Sequence, residues 1–204
     1  MYTYEEQKKT LKIIHSILLK NNFLSKMPIF LGTLLGAVRQ GKLNTSINNW
    51  DDLDFCVNKE NFDEFLQKIY PELKQVGFEV KYVWYTSFGE IGELTLYRGE
   101  ERLDINQLFP VEMKSGKYYL HCHWYGGTQL TKGLNSEYHT KLAKIKLEGL
   151  EFYGPENYEN CLIDLYGENW KIPCKSEDEY KYWEDSPGIP WWNRTQFLKV
   201  ENKL

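Results

Sequence analysis

Hydrophobic positions near the start of the chain repeat with the period of a helix. Between Tyr4 and about Asn22, the apolar residues Leu11, Ile14 and Leu18 recur every three or four positions, with polar residues between them. This spacing places the apolar side chains on one face of a helix. The pattern therefore predicts an amphipathic N-terminal helix that packs on a core.

Strict alternation further along the chain predicts strands. In the run 52–57, Asp52 and Asp54 fall on one side, whereas Leu53, Phe55 and Val57 fall on the other. Such a strand has one buried face. A short strand is predicted at 27–31, and longer strand-like runs lie at 78–85, 91–97, 102–108 and 117–124, with a hairpin at 145–153 that bends at Gly149.

Boundary signals predict further helices. Asn61, followed three residues later by Glu64, resembles a capping box for a helix that Gly77 ends. Pro155 suits the first position of a helix that ends at Gly167. A stretch of one or two helical turns is predicted at 34–38. The mixture lacks regular βαβ alternation and predicts an α+β fold. Without repeats or a linker, we expect one domain over residues 1–204, with 175–204 as a charged C-terminal tail.

Composition narrows the function classes. The formal net charge of the 204 residues is −4, which argues against general affinity for nucleic acid. Aromatic residues make up 16% of the chain, and such rings often line carbohydrate or nucleobase sites, although packing is their usual role. No apolar segment of signal-peptide or membrane-spanning type is present. We therefore expect a cytoplasmic protein, with peripheral membrane association left open.

The cysteine and histidine pattern gives little support for a zinc site. The four cysteines form no C-x-x-C pair and need not be bridged in a cytosolic protein. His121, Cys122 and His123 are consecutive, but neighbouring residues of a strand point to opposite faces. A structural role is therefore expected for them, with zinc as the open alternative.

Three aspartates form the main candidate site. Asp52 and Asp54 project from the same face of a strand, roughly 6.6 Å apart along the chain. Two carboxylates so close repel each other unless a divalent cation lies between them, and oxygen ligands suit Mg²⁺ or Mn²⁺. Asp104 alternates with Leu103 and Ile105 in a second strand. If the two strands are neighbours, the three carboxylates meet at one end of a sheet.

The residues that precede the strand at 52–57 are suited to binding a phosphate group. A Gly32-Thr33 turn between a strand and a helix allows backbone N–H groups to approach an anion closely. Arg39 could hold a phosphate in bidentate fashion. Asp51 is better interpreted as a solvated turn residue than as a ligand.

Taken together, these motifs resemble the fukutin/LicD family, a branch of the polymerase-beta-like nucleotidyltransferase superfamily. The resemblance covers roughly Leu11 to Pro173, and its motifs are Gly32-Thr33-Leu34-Leu35-Gly36, Arg39-Gln40, Trp50-Asp51-Asp52-Leu53-Asp54, Leu103-Asp104-Ile105 and the run from Gly154 through Trp170 to Pro173. The family often has a further Asp where this chain has Trp50. Whether Asp51 takes that role is left open.

The resemblance implies a mixed sheet with helices packed on one face and the active cleft on the other. It implies transfer of a phosphorylated alcohol of the choline, ribitol or glycerol type from a CDP-linked donor, with release of CMP. The acceptor would be a glycan or cell-surface polymer of the capsule or teichoic acid kind, with lipid-linked forms included. Two alternatives remain: a nucleotidyltransferase that transfers the nucleotide itself, and a non-catalytic carbohydrate-binding module.

Roles for individual residues follow from the same resemblance. Asp52 and Asp54 would hold one or two Mg²⁺ or Mn²⁺ ions, and Asp104 would complete the metal shell or accept the proton of the attacking hydroxyl. Gly32, Thr33 and Arg39 would bind the donor phosphate. Trp124, Trp170 and Trp191 could stack on cytosine or a sugar, although packing is the more common role for each.

Overall fold

The computed structural model describes residues 3–43, 52–86, 88–113, 116–125, 128–173 and 199–201. The N-terminal apolar stripe forms α1 (Tyr4–Lys20), as predicted. A capping box begins this helix, because the Thr3 hydroxyl accepts a hydrogen bond from the Glu6 N–H while the Glu6 carboxylate accepts one from the Thr3 N–H. Leu11, Ile14 and Leu18 are fully buried.

Seven strands form the central sheet. They are β1 (Leu53–Asn58), β2 (Glu79–Tyr85), β3 (Ile91–Arg98), β4 (Glu101–Met113), β5 (Gly116–Tyr125), β6 (Thr128–Asn135) and β9 (Lys199–Glu201). Their order is β6-β5-β4-β3-β2-β9, and β1 joins β4 as an additional partner. The β1–β4 pair is parallel and the other pairs are antiparallel, so the sheet is mixed. The observed fold is α+β, as predicted.

The remaining elements are helices and a two-stranded hairpin. The helices are α2 (Leu31–Gln40), α3 (Lys59–Glu64), α4 (Tyr70–Gln75), α5 (Glu137–Thr140) and α6 (Tyr158–Tyr166), and a π-helical turn, Phe65–Ile69, joins α3 to α4. The predicted hairpin forms from β7 (Leu142–Leu147) and β8 (Leu150–Pro155). None of the helices in the described ranges is long and apolar enough to span a membrane.

The central strands separate apolar from polar side chains. Most residues of β1, β3 and β4 that belong to the hydrophobic core alternate along their strands: Leu53, Phe55, Val57, Leu94, Leu96, Leu103 and Ile105. The positions between them include Asp54, Asp104, Glu93 and Thr95. One face of the sheet therefore packs on the core that also receives α1 and α2, and the other face collects polar groups.

Several predicted boundaries differ from the structure. The expected strand at 27–31 is an extended segment that makes one bridge, Ile29 with Phe55, before α2 begins at Leu31. Asn61 does not begin a helix, because α3 starts at Lys59 as soon as β1 ends. Pro155 ends β8 instead of opening α6. The side chain of Asn157 caps that helix by accepting from the N–H of Asn160.

The segment predicted as a C-terminal tail, residues 175–204, contributes a strand to the sheet. Lys199–Glu201 form β9, which pairs with β2. The other residues of that segment lie outside the described ranges.

Candidate active site

Parallel pairing of β1 and β4 brings the three predicted aspartates together. In this ladder Asp54 lies opposite Asp104, and Asp52 directly precedes the first residue of β1. One carboxylate oxygen from each aspartate lies within 4.8 Å of the other two. The three side chains could hold one metal ion. Within the described ranges they form the one group of three or more His, Cys, Asp or Glu side chains that is close enough to do so.

The start of α2 holds Asp54 in place. The N–H of Gly32 donates to Oδ2 of Asp54 at 3.1 Å, and the N–H of Asp54 donates to Oγ1 of Thr33 at 2.7 Å. A Cβ atom on Gly32 would lie 3.1 Å from Oδ2 of Asp54, so glycine permits this close approach. Leu31 has a positive φ of 40° at the point where the chain turns into the helix. The N-terminal end of α2 is therefore directed at the Asp54 carboxylate.

Burial makes the carboxylates costly to ionise. Asp54 and Asp104 are 6% and 4% exposed. Burial raises the pKa of Asp54 well above its usual range, and the nearby Asp52 charge adds to this effect. Burial also raises the pKa of Asp104 well above its usual range, with a further contribution from Glu93. A cation beside these groups would favour their ionised forms.

Arg102 supplies part of that positive charge. Its Nη2 lies 2.6 Å from Oδ2 of Asp104, its Nε donates to Oδ1 of Asp104 at 3.1 Å, and its Nη1 lies 3.2 Å from Oδ2 of Asp52. Burial lowers the pKa of the guanidinium, but Asp104, Asp52 and Glu93 together raise it above the usual value. Arg102 is therefore a charged neighbour of two of the three aspartates.

Glu93 is a fourth carboxylate that the sequence analysis missed. It lies on β3, is 4% exposed, and its Oε1 is 3.9 Å from Nη2 of Arg102. The Thr95 hydroxyl donates to the same Oε1 at 3.1 Å, and Nε1 of Trp84 donates to Thr95 at 3.1 Å. Burial raises the pKa of Glu93 to about 7, although Arg102 and Thr95 oppose this shift.

A buried side-chain amide, that of Asn106, lies on β4 two residues after Asp104. Nδ2 of Asn106 donates to the carbonyl of Phe55 at 3.3 Å, which links β4 to β1. Oδ1 of Asn106 and Nε2 of His121 are 2.9 Å apart. His121 is fully buried. The side chains of Cys122 and His123 lie outside the described part of the chain, so the zinc alternative stays untested.

A comparison with protein-family models identifies the family of this chain. Residues 27–157, more than half of the chain, match the model described as LicD/FKTN/FKRP, nucleotidyltransferase domain. The chain belongs to this family. A comparison with curated proteins gave no match.

Membership in the LicD/FKTN/FKRP family confirms the resemblance inferred from the motifs and implies a transferase that acts on phosphorylated alcohols. The matched segment contains all three aspartates of the cluster, and also Gly32, Thr33 and Arg39. A divalent ion suits the cluster chemically, because its ligands are hard carboxylate oxygens, and because the three carboxylates, once ionised, carry more negative charge than the single positive charge of Arg102 offsets.

Two other residues predicted for the LicD-type site, Arg39 and Trp170, do not belong to the three-aspartate cluster. Arg39 is in the last turn of α2, seven residues from Gly32, which corresponds to about 10 Å along a helix. Trp170 is 6% exposed and packs in the hydrophobic core. The roles of Gly32, Thr33, Arg39 and Trp170 toward a substrate stay predictions. Asp51, Trp191 and the Trp124 side chain lie outside the described residues.

Proposed function

We propose that this chain is a metal-dependent transferase that moves a phosphorylated alcohol from a CDP-linked donor to a hydroxyl group of a glycan or cell-surface polymer, releasing CMP. The alcohol is of the choline, ribitol or glycerol type. Family membership supports the transferase class. The observation that carries the proposal is the convergence of Asp52, Asp54 and Asp104, with one oxygen from each within 4.8 Å of the others.

In the proposed reaction, the acceptor oxygen attacks the β-phosphorus of the donor. A bond forms between that oxygen and phosphorus while the bond from the β-phosphorus to the bridging oxygen of CMP breaks, so CMP leaves with the bridging oxygen. The hydroxyl proton passes to solvent, or to Asp104 if that carboxylate is not a metal ligand. A bound Mg²⁺ or Mn²⁺ ion would offset the negative charge of the donor phosphates.

The proposal gives each residue of the site a role in binding the ion, binding the donor or positioning another residue. Asp52, Asp54 and Asp104 would hold the ion, and Gly32 and Arg39 would contact the donor phosphates. Thr33 is 1% exposed and its hydroxyl is already engaged with the Asp54 N–H, so we assign it to positioning Asp54.

The direct test is CMP release from a panel of CDP-choline, CDP-ribitol and CDP-glycerol with Mg²⁺ or Mn²⁺, with and without glycan acceptors. We expect one donor to release CMP in an acceptor-dependent and metal-dependent reaction. Asp54→Asn should abolish turnover, because the ion loses a buried ligand. Asp63→Asn, the same change at an exposed position of α3, is the matched control and should keep full activity.

The same assay separates the alternatives. Release of pyrophosphate from CTP, with the nucleotide retained on the product, would favour nucleotidyl transfer. Metal-independent glycan binding that survives Asp54→Asn, without turnover of any donor, would favour a binding module. A proton-accepting role for Asp104 would leave the metal affinity of Asp104→Asn unchanged, whereas a ligand role predicts weaker metal binding.

A further inference from the structure

The charges of the site include one guanidinium among four carboxylates. Arg102 lies between Asp104, which it contacts through Nη2 and Nε, and Asp52, which it contacts through Nη1. Its Nη2 also faces Oε1 of Glu93 at 3.9 Å. Two of the three carboxylates that could hold an ion are therefore already paired with a cation of the protein.

Exposure indicates how Arg102 is arranged over these partners. Its side chain is 39% exposed, whereas the side chains of Asp104 and Glu93 are 5% exposed each. Asp52, the third partner, is intermediate at 27%. Arg102 is therefore more open to solvent than the two buried carboxylates that it contacts.

A divalent ion and Arg102 would compete in this arrangement. Both are positive and both use oxygens of Asp52 and Asp104. A guanidinium about 6 Å from a divalent ion weakens binding of the ion by about tenfold even at the dielectric constant of bulk water. Glu93 gives Arg102 a carboxylate that does not belong to the three-aspartate cluster, so the side chain keeps an ion-pair partner when an ion takes the other two.

We propose that Arg102 is the exchangeable counter-ion of this site: it neutralises Asp52 and Asp104 in the metal-free protein, yields their oxygens to the incoming ion, and then presents its guanidinium to a phosphate of the bound nucleotide. A guanidinium suits that second task, because its planar fork matches phosphate oxygens in bidentate fashion. This inference rests on the proposed function for the identity of the ion and of the nucleotide.

The first test measures Mn²⁺ affinity by calorimetric titration of the full chain without any donor. Arg102→Gln should bind Mn²⁺ about tenfold more tightly than wild type, because the competing charge is gone. Arg102→Lys keeps the charge and should stay close to wild type. Lys171→Gln removes a positive charge from the exposed ion pair with Glu159 and should leave the affinity unchanged.

The second test measures CDP binding at saturating Mn²⁺. Arg102→Gln should bind CDP at least about tenfold more weakly, because a charge-assisted bidentate contact is lost, and Arg102→Lys should be intermediate. A residue with only a structural role would not produce these opposite changes in the two affinities.

A second comparison covers the case in which Arg102→Gln fails to fold. The double variant Arg102→Gln with Glu93→Gln removes one charge of each sign, and it should bind Mn²⁺ about tenfold more tightly than Glu93→Gln alone. Equal or weaker Mn²⁺ binding in that comparison, or in Arg102→Gln against wild type, would overturn the inference.

The remaining outcomes separate this inference from the proposed function. If neither wild type nor Arg102→Gln binds Mn²⁺, both the metal dependence and the counter-ion role are wrong. If the predicted affinity changes occur but wild type turns over no CDP-linked donor, the counter-ion role stands and the proposed reaction is wrong.

Discussion

Asp54 of β1 lies directly opposite Asp104 of β4, in the parallel pair of the sheet. Both side chains occupy the polar face, because each residue alternates with core residues of its own strand: Leu53 and Phe55 flank Asp54, and Leu103 and Ile105 flank Asp104. A shift of one residue in the pairing would place one carboxylate against the core. The register of this strand pair is therefore what assembles the site.

Gly32→Ala tests the close approach of α2 to Asp54. The added Cβ would lie 3.1 Å from Oδ2 of Asp54, so the carboxylate must shift and its bond from the Gly32 N–H weakens. We expect about tenfold weaker Mn²⁺ binding by calorimetry, since a hydrogen bond to a charged group contributes about 1.5–3 kcal/mol. The free energy of unfolding should change little, because alanine has the higher helix propensity.

Gly41→Ala, at the other end of the same helix, should give the opposite pattern. Gly41 has a φ of 69°, and a Cβ added there would meet nothing within 4 Å, so alanine at this position strains only the backbone. We expect about 1 kcal/mol less stability and unchanged Mn²⁺ affinity. If the two variants behave alike, the contact of Gly32 with Asp54 does not position the carboxylate.

Thr33→Val tests the buried bond to the backbone of Asp54. Valine has nearly the shape of threonine but no hydroxyl, so the N–H of Asp54 loses its acceptor at a site where Thr33 is 1% exposed. The free energy of unfolding should fall by about 1–3 kcal/mol in urea denaturation. Thr33→Ser keeps the hydroxyl and loses one methyl group, which costs about 0.8 kcal/mol. A serine variant less stable than the valine variant would contradict this account.

Much of the site follows from local sequence patterns. Alternation around Asp54 and around Asp104 fixes which face each side chain takes, because the side-chain period of a strand is two. Gly32 and Thr33 are identifiable because a glycine ahead of an apolar run suits a close backbone approach. In the structure both residues lie in the first turn of α2, and the approach is directed at Asp54. These signals involve neighbours in sequence and need no knowledge of strand pairing.

Glu93 and Arg102 show what local patterns leave out. Each lies two positions from a polar residue on the same strand face, Thr95 and Asp104, which is a weak signal. Their significance depends on the antiparallel pairing of β3 with β4, which places Thr95 opposite Asp104. Strand order and register are set by packing of the whole core, so sequence periodicity alone could not assign them to the site.

Glu93 should make the metal-free protein less stable as pH rises. Its pKa is about 7 in the folded chain and near 4.5 when unfolded, so between those values the unfolded state binds fewer protons. The stability that depends on Glu93 is complete below about pH 4.5 and is lost by about pH 7, a change of about 3 kcal/mol. Asp54 and Asp104, whose pKa values burial also raises, add to the decline of the free energy of unfolding in the same direction. Glu93→Gln should therefore lose about 3 kcal/mol less than wild type between pH 5 and pH 8 when urea denaturation is followed in EDTA.

The matched control for that experiment is Glu159→Gln, which removes an exposed carboxylate from the pair with Lys171. Its difference from wild type should be the same at both pH values. An unchanged pH slope in Glu93→Gln would contradict the assignment of the buried carboxyl.

The contribution of His139 to the free energy of unfolding should depend on pH in the opposite direction. The ring is 5% exposed, packs against Phe30 and Tyr119, and its Nε2 has no hydrogen-bond partner among the described residues. Burial lowers the pKa of His139 to about 3, so the folded chain keeps the ring neutral while the unfolded chain takes up a proton below about pH 6.5. The stability contributed by this group is present above pH 6.5 and declines as pH falls toward 3.

His139→Phe keeps an aromatic ring at this position and removes the titration. Relative to wild type, we expect its free energy of unfolding to improve by about 2 kcal/mol between pH 8 and pH 5, since the neutral ring costs the folded chain about 1.4 kcal/mol for each pH step below 6.5. Urea denaturation at the two pH values measures the change, and His15→Phe in α1 is the control. If the difference between His139→Phe and wild type is the same at both pH values, the His139 ring does not stay neutral in the folded chain.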